Sequence, residues 1–395
     1  MRIADRLNSL QPSLTITLNA RAHELKSQGV AVTSLAIGEP DFPTPPHIRE
    51  AAKKAVDANF TRYTAAPGIP ELRTAAGQYF ERQYGVPVAQ ESVIVSCGGK
   101  HALYNFMQGF LNPGDEVLLP APYWLTYPPV IELAGAKAVI VPAGAEHAFK
   151  VTPSILESYC TARTKLLILN SPSNPTGAVY TQAELDALVD WALSHNIFTL
   201  SDEIYDQLVY APAKAATAIG WFVKNPEMVA VVNGVSKTFA MTGWRVGWLA
   251  GHPDLIKKLS ALQGQSTSGI CSIAQKAALA ALTGPTDCVE NMRDAFQRRR
   301  DAAMKIIRNW SLAVCPQPDG AFYLFVDVSR YYNATVKNST DICAHLLDKA
   351  LVSMVPGAAF GDDGCIRLSY AVADDVLVEA LQRVGAELAK LAADG

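Results

Sequence analysis

The sequence predicts an α/β protein with a mostly parallel, seven-stranded sheet between helices. Short apolar, β-branched runs alternate with longer helical patterns through the middle of the chain. Apolar strands that are separated by helices are typical of a parallel sheet covered on both faces. The strands that this pattern predicts cover residues 92–96, 116–119, 138–141, 166–169, 198–201, 229–233 and 246–250.

Length and a change of pattern predict two domains. With 395 residues the chain exceeds the usual size of a single hydrophobic core. After about residue 285 the predicted elements are a long amphipathic helix over 288–310, strands at 322–326 and 366–370, a helix near 340–350 and a terminal helix from about 376. We therefore expect an N-terminal arm and a helix over residues 21–28 that pack with the small domain (residues 1–45), a large domain (46–285) and a smaller α+β domain (286–395).

The composition argues against several classes of protein. Hydrophobic residues make up 49% of the chain and charged residues 18%, which favours a large buried core over disorder. The formal net charge of −3 argues against a nucleic-acid surface. The seven cysteines form no Cys-x-x-Cys pair, and no apolar run reaches membrane-spanning length. Because the first residues also lack an apolar signal core, we expect a cytoplasmic protein without nucleic-acid, membrane or metal partners.

Two polar segments that follow predicted strands contain a lysine and a carboxylate. Lys237 follows the strand at 229–233, and such a lysine can form a Schiff base if burial or nearby positive charge keeps its amine partly deprotonated. Arg245 can supply that charge and bind a phosphate. Asp202 can keep a heterocyclic nitrogen protonated, and Tyr205 can donate to a ring oxygen. The alternatives are an ordinary surface lysine, and a helix N-cap at Asp202.

Two further segments have the form of strand-to-helix turns. The prolines and the glycine of residues 170–177 predict a rigid turn that fixes Asn174. The sequence Gly98-Gly99-Lys100 precedes a predicted helix, where exposed backbone N–H groups can bind an anion. Either segment can also be a plain connection, since many such turns look the same. In an α/β sheet the carboxyl ends of the strands are where ligands bind, so we expect the four segments to meet there.

Together with other motifs in the same order, these segments resemble the fold-type I enzymes that use pyridoxal 5′-phosphate (PLP), and among them the class I aminotransferases. The resemblance is nearest to the bacterial-type (subgroup 1b) aspartate aminotransferases and to their relatives that aminate prephenate. It covers nearly the whole chain, and the matching motifs are residues 36–42, Tyr63, and residues 68–73, 112–115, 122–124, 174–177, 201–205, 236–237, 243–247, 320–323 and 366–370.

The resemblance implies PLP as cofactor and assigns a role to each matching residue. Lys237, Asp202 and Tyr205 would be the catalytic residues. The implied cofactor contacts are the Schiff-base lysine Lys237, the pyridinium partner Asp202, the phenolic-oxygen donors Tyr205 and Asn174, the ring-stacking Trp124, and the phosphate ligands Gly99, Lys100, Arg245 and Tyr63. Tyr63 would reach the phosphate of the neighbouring subunit, which implies a homodimer with shared active sites.

The implied substrate contacts are Gly38, Trp124, Asn174, Arg367, Lys100 and Thr15. Arg367 would bind the α-carboxylate through a two-pronged fork, and Lys100 the distal carboxylate. Animal-type aspartate aminotransferases use an arginine of the other subunit for the distal carboxylate, and the corresponding stretch, residues 262–269, contains none. Thr15 matches a threonine associated with prephenate, although Gln11 stands where a lysine often precedes this motif.

The expected function is therefore a ping-pong transfer of an amino group between an amino acid and a 2-oxo acid, with aspartate and 2-oxoglutarate as substrates. A prephenate, aromatic or alanine-type aminotransferase and a PLP-dependent lyase are the alternatives within the same fold. A PLP-sensing regulator would carry a DNA-binding domain before the first motif, and we expect no room for one ahead of Gly38. A dehydrogenase or a hydrolase would need a Gly-x-Gly-x-x-Gly or a Gly-x-Ser-x-Gly turn, and neither is found.

Overall fold

The fold is taken from a computed structural model that describes residues 3–7 and 15–394. The strands are β1 Thr33–Ser34, β2 Val93–Ser96, β3 Glu116–Ala121, β4 Lys137–Pro142, β5 Thr164–Asn170, β6 Phe198–Asp202, β7 Val229–Gly234, β8 Gly247–Ala250, β9 Tyr323–Asp327, β10 Val352–Ser353, β11 Val355–Pro356 and β12 Cys365–Ser369. The helices are α1 Thr15–Ser27, α2 Pro46–Asp57, α3 Pro70–Tyr84, α4 Gly99–Phe110, α5 Tyr127–Leu133, α6 Pro153–Glu157, α7 Gln182–Ser194, α8 Ile219–Lys224, α9 Val235–Thr238, α10 Pro253–Ser266, α11 Ser272–Thr283, α12 Asp287–Ile307, α13 Ser339–Ala350 and α14 Asp374–Asp394.

The large sheet has seven strands in the order β2-β8-β7-β6-β5-β3-β4. All neighbouring pairs are parallel except the two that involve β8, which is antiparallel to β2 and to β7. Every residue of β6 and β7 is buried, whereas the edge strand β4 is largely accessible. This confirms the predicted α/β class and the predicted strands, because buried central strands must be apolar along their whole length.

Helices cover both faces of this sheet, and successive residues of a strand alternate between the two layers. Leu167 of β5 and Val231 of β7 belong to a core that includes residues of α2, α3, α7 and α11. Their neighbours Ile168 and Val232 face the opposite core, which includes residues of α4, α5 and α10. The sheet is therefore the middle layer of three.

The parallel register brings the ends of β5, β6 and β7 to one edge of the sheet. Asn170 at the end of β5 is opposite Asp202 at the end of β6, and Asp202 is opposite Val232 near the end of β7. The antiparallel β8 starts at this same edge, where Gly247 is opposite both Gly234 and Ser96. The residues that precede β8 therefore lie beside the residues that follow β2, β6 and β7.

A separate core, away from the large sheet, lies mainly in the C-terminal third of the chain. It packs helices α12, α13 and α14 against a three-stranded antiparallel sheet of order β11-β12-β9. Leu18, Ala22 and Leu25 of α1 join this core, and β1 pairs with β10. The proposed domain boundaries at residues 45 and 285 stay a prediction.

Helices α1 and α12 differ from their predicted boundaries by three residues or more. Helix α1 already begins at Thr15, six residues before the predicted start at residue 21. Helix α12 ends at Ile307 rather than at residue 310, and Trp310 follows in a turn but is still buried in the same core. An apolar residue just after a helix continues its spacing, so the pattern overestimates the length. Within residues 3–7 and 15–394, each helix is too short or too polar to span a bilayer.

Candidate active site

A cavity of about 540 Å³ opens where the strand ends of the large sheet meet. Ten of the predicted site residues line it. They are Gly38, Gly99, Lys100, Trp124, Asn174, Asp202, Tyr205, Lys237, Arg245 and Arg367. Residues that are more than 300 positions apart in the chain thus line one cavity.

Lys237 lies in the short helix α9 that directly follows β7. Its Nζ donates a hydrogen bond of 2.5 Å to the carbonyl oxygen of Gly38. Burial lowers the pKa of the Lys237 amine to about 8; Glu39 opposes this change, and Arg367 and Arg245 add to it. An ordinary surface lysine has a pKa near 10.4. Lys237 is therefore partly a free amine near neutral pH, the state that a nucleophilic lysine needs.

Asp202 is the last residue of β6 and only 4% exposed. Its Oδ2 accepts a hydrogen bond of 2.8 Å from the hydroxyl of Tyr127, and its Oδ1 accepts one of 3.3 Å from the backbone N–H of Ile204. Burial raises the pKa of Asp202 to about 6, and the Tyr127 hydrogen bond is the largest opposing effect. The next helix begins only at Ile219, so the N-cap interpretation of Asp202 is wrong.

Arg367 is the buried cation on the other side of the cavity. It is 5% exposed, and its Nη1 donates 3.0 Å to Oδ1 of Asn174 while its Nη2 donates 2.8 Å to the carbonyl oxygen of Ala36. Its Nε has no hydrogen-bond partner among the described residues. Its hydrogen-bond partners in the described chain are an amide and a backbone carbonyl rather than a carboxylate, so the guanidinium is a strong candidate for binding an anion from outside.

The hydroxyl of Tyr205 lies 2.9 Å from the hydroxyl of Tyr323. Both side chains are buried, and burial raises the pKa of both phenols, so both are protonated at neutral pH. The ring of Tyr323 lies 4.6 Å from the Arg367 guanidinium carbon. Tyr205 and Arg367 are thus joined through one side chain that faces the cavity.

The start of α4 and Arg245 form the positive end of the site. Helix α4 begins at Gly99, and Gly99 and Lys100 line the cavity with the helix N-terminus, where the first backbone N–H groups lack intrahelical acceptors. Gly98 has a φ of +84°, and an added Cβ would lie 2.6 Å from Nη2 of Arg245. At Gly247 a Cβ would lie 2.4 Å from the backbone N of Gly99. Glycine at both positions lets β8 and the Arg245 side chain approach the helix N-terminus.

Trp124 and Lys100 lie together on the rim of the cavity. The Lys100 ammonium is 5.0 Å from the centre of the Trp124 ring, a cation–π distance. Burial and then Arg245 lower the pKa of Lys100. The Trp124 ring also meets the Tyr127 ring edge-on, with centroids 5.5 Å apart. Trp124 is half-buried and lines the cavity, so it is not simply a core aromatic.

Tyr63 does not line the cavity of its own chain, and Thr15 cannot be placed relative to it. Tyr63 is 94% exposed and borders a separate surface depression together with residues 61–64 and 267–273. Thr15 is the first residue of α1, but the placement of its side chain lies outside what the structure describes, and Gln11 lies outside the described residues.

Sequence reasoning missed three residues that contact this set. Tyr127 donates to Asp202, Tyr323 bridges Tyr205 and Arg367, and Glu39 accepts a 2.7 Å hydrogen bond from Thr242 while acting on the Lys237 amine. Tyr323 and Glu39 were inside quoted motifs, and Tyr127 is three residues after Trp124. The motifs marked their positions, but nothing in the sequence identified their partners.

Comparison with known proteins gives this cavity its class. Residues 30–384 match the family model for aminotransferase class I and II, and the chain belongs to that family. It is a transaminase with the fold-type I architecture that the sequence predicted.

Relatives and solved structures that are similar to this chain are named as aspartate or aspartate/prephenate aminotransferases. The chain is 45% identical to the aspartate/prephenate aminotransferase of Cereibacter sphaeroides, over 98% of this chain and 99% of that protein. Among solved structures, the aspartate aminotransferase of Rhizobium meliloti superposes with a TM-score of 0.94 at 38% identity, covering 98% of this chain and 99% of that one. The aspartate aminotransferase of Thermus thermophilus with maleate gives 0.92 at 40% identity, covering 98% and 100%.

The lowered pKa of Lys237 can be measured without any ligand. We expect competitive labelling with trace acetic anhydride, read by mass spectrometry, to show Lys237 becoming reactive with a midpoint near pH 8. Glu39→Gln should move the midpoint to lower pH, because it removes the carboxylate that favours the ammonium form. A midpoint near the usual value of about 10.4 would show that burial does not perturb this amine.

Proposed function

We propose that this transaminase binds PLP through Lys237 and that its main substrates are aspartate and 2-oxoglutarate. The observation that carries the proposal is the pairing, in one cavity, of a lysine of lowered pKa with a buried arginine that has no carboxylate partner in the described chain. PLP is the general cofactor of this family. An amino acid substrate carries a carboxylate that Arg367 can bind and an amine that can take the place of the Lys237 amine.

The residues present fit PLP in each of its functional groups. The N-terminus of α4 and Arg245 offer N–H groups and positive charge for the phosphate. Lys237 offers an amine for the aldehyde, and the buried Asp202 carboxylate suits the ring nitrogen. The hydroxyl of Tyr205 and the amide of Asn174 suit the phenolic oxygen. When bound, PLP withdraws electrons from the substrate Cα and thereby makes its proton acidic.

Asp202 has the task of keeping the ring nitrogen protonated. Burial raises its pKa, and the value of about 6 already includes the opposing hydrogen bond from Tyr127, so a small part of the carboxyl would be protonated near neutral pH. Tyr127 opposes that rise through its hydrogen bond, and a protonated ring nitrogen beside the carboxylate would lower the pKa further. The two effects together keep Asp202 charged at neutral pH.

Lys237 has the task of moving the proton at Cα. Once the substrate amine has displaced it, its Nζ is a free amine whose pKa near 8 suits both uptake and release of a proton at neutral pH. The Gly38 carbonyl, which accepts its hydrogen bond, gives the freed Nζ a fixed partner. Lys237 thus serves as attachment point and as acid–base group.

Arg367 has the task of fixing the α-carboxylate. Asn174 and the Ala36 carbonyl hold the guanidinium on two of its nitrogens, and the Tyr323 and Phe360 rings flank it at 4.6 and 4.9 Å. A guanidinium held in one plane can bind a carboxylate with two parallel hydrogen bonds, which fixes the orientation of Cα as well. The carboxylate also compensates the cost of burying this charge.

Lys100 supports the choice of a dicarboxylic substrate. Its ammonium lies beside Trp124 at the cavity rim, where the distal carboxylate of a four-carbon amino acid can reach it. Relatives named for aspartate and a relative solved with maleate, itself a four-carbon dicarboxylate, support the same choice.

Prephenate is the second candidate, because the relative from Cereibacter sphaeroides is named for both substrates. Prephenate also carries two carboxylates, so Arg367 and Lys100 suit it too. Thr15 stays the residue that we associate with its use, on the strength of the motif alone.

We also propose a cytoplasmic homodimer in which each site is completed by Tyr63 of the other subunit. A tyrosine that is 94% exposed leaves a large apolar ring in water, which a partner surface would relieve. The loop that follows it is held rigidly: the amide of Gln263 donates to the Ala66 carbonyl, and that of Gln275 donates to the Thr64 hydroxyl. Such a fixed, protruding aromatic suits insertion into a neighbouring site.

Covalent trapping tests the cofactor assignment. Borohydride reduction of the PLP-loaded protein should fix the cofactor on Lys237, and peptide mass spectrometry should find it there. Lys237→Ala should retain PLP only non-covalently and should lose transamination by several orders of magnitude, since attachment and proton transfer are both removed. Cofactor found on another lysine would refute the assignment.

Substrate selectivity tests Lys100. Lys100→Met should lower kcat/KM for aspartate and glutamate about ten- to a hundredfold, between the effects typical of exposed and of buried charge pairs. Alanine and phenylalanine should be much less affected, because they have no distal carboxylate. The assay uses saturating PLP, and Lys257→Met on the exposed side of α10 is the matched control. Equal losses for acidic and neutral donors would leave Lys100 as a phosphate-site residue only.

Subunit mixing tests the shared site. Tyr63→Ala and Lys237→Ala are each expected to be nearly inactive, but a mixed dimer has one site with both native residues. Random mixing should restore up to about a quarter of native activity, since half the dimers are hybrids with one intact site each. Mixing Lys237→Ala with the double variant should restore none. Sites built within one subunit would give no recovery in either mixture.

A further inference from the structure

Tyr323 touches three parts of the site that have separate tasks. It is the first residue of β9 and has no exposed surface. Its hydroxyl lies 2.9 Å from that of Tyr205, and its ring lies 4.6 Å from the guanidinium carbon of Arg367. The same hydroxyl would be 3.2 Å from a Cβ at Gly38, the residue whose carbonyl accepts from Lys237.

The hydrogen bond between the Tyr205 and Tyr323 hydroxyls has a defined donor once Tyr205 donates to a ligand. Either hydroxyl can be the donor between them, and each has a single hydrogen. If Tyr205 donates its hydrogen to a ligand in the cavity, the hydrogen between the two oxygens must come from Tyr323. A hydroxyl that accepts a hydrogen bond becomes a better donor, because chains of hydrogen bonds polarise one another.

The ring of Tyr323 has a separate effect on Arg367. The guanidinium is flanked by the rings of Tyr323 and Phe360 and is tied by hydrogen bonds at Nη1 and Nη2, which leaves Nε without a partner in the described chain. Aromatic faces restrict a guanidinium to one plane and are attracted to its charge. Loss of the ring would let Arg367 tilt away from the plane in which it meets a carboxylate.

We propose that Tyr323 is a positioning residue for amino transfer, which directs the Tyr205 hydroxyl into the cavity and holds the Arg367 guanidinium in its binding plane. The inference rests on the proposed function, since Tyr205 and Arg367 receive their tasks there. It assigns the two tasks to different parts of one side chain, the hydroxyl and the ring, so substitutions can separate them.

Two substitutions distinguish the parts. Tyr323→Phe removes the hydroxyl alone, and Tyr323→Leu removes the ring as well. Tyr331→Phe is the matched control: Tyr331 is buried in the same core, and its hydroxyl accepts a 3.1 Å hydrogen bond from the backbone N–H of Leu312, away from the cavity. The readouts are the pH titration of the visible absorbance band of the PLP-loaded protein, the KM and kcat for aspartate, and the melting temperature of each variant.

Tyr323→Phe should move the absorbance midpoint upward by about half a pH unit, because a weaker Tyr205 donor stabilises the deprotonated form of the cofactor less. The KM for aspartate should stay within about twofold of the native value, because the ring under Arg367 remains. Tyr323→Leu should show the same shift and a KM raised about tenfold. Tyr331→Phe should change neither the midpoint nor the KM.

Tyr205→Phe, measured in parallel, separates the two hypotheses. A shift with Tyr205→Phe but not with Tyr323→Phe overturns the positioning role and leaves the proposed function intact. No shift with Tyr205→Phe overturns the task given to Tyr205, and with it the inference. The double variant Tyr205→Phe/Tyr323→Phe should shift no further than Tyr205→Phe alone, since Tyr323 acts through that hydroxyl. Additive shifts of the absorbance midpoint would contradict action through Tyr205. Tyr323 variants that change only the melting temperature would show a purely structural role.

Discussion

The site depends on the hydrogen-bonded register of β5, β6 and β7. Because these strands are parallel and in step, Asn170 and Asp202 are opposite each other and the lysine helix α9 starts beside them. The antiparallel β8 then brings Arg245 back to the same edge, since it starts where the parallel strands end. A one-residue slip in any of these pairings would turn a strand's side chains to the other face.

The cavity at this edge holds more buried charge than an ordinary core would tolerate. Desolvation lowers the pKa of Lys237 and of Arg367 and raises that of Asp202, so each charged form is less favourable than in water. Burial of unpaired charges is costly, and a protein keeps them only where something compensates for it. A ligand that carries both negative and positive charge would compensate Lys237, Arg367 and Asp202 together. The cavity is thereby organised for a ligand rather than for the stability of the fold.

The two sides of the cavity belong to different cores. The large sheet supplies Asp202 and leads directly into helix α9 with Lys237, whereas Tyr323 and Arg367 come from the antiparallel pair β9 and β12 of the C-terminal core. The segment with Gly38 passes between them. It is fastened to the C-terminal helices through Arg299, whose Nη1 and Nε lie 2.8 and 2.7 Å from Asp41 and Asp374, and to the Lys237 side through the hydrogen bond between Thr242 and Glu39. This segment therefore links the Arg367 side of the cavity to the Lys237 side.

The sequence by itself determined the strands of the large sheet, the class of the protein and ten of the residues that line the cavity. Buried parallel strands require apolar runs that a periodicity argument detects, and chemically distinctive residues such as Lys237 and Asp202 stand directly after those runs. Only the tertiary structure decided which side chains meet. Tyr127 and Asp202 are 75 residues apart, Tyr205 and Tyr323 are 118 apart, and Asn174 and Arg367 are 193 apart. Local patterns encode faces and turns, but contacts over such separations arise from strand register and core packing, which place the partners within hydrogen-bond distance.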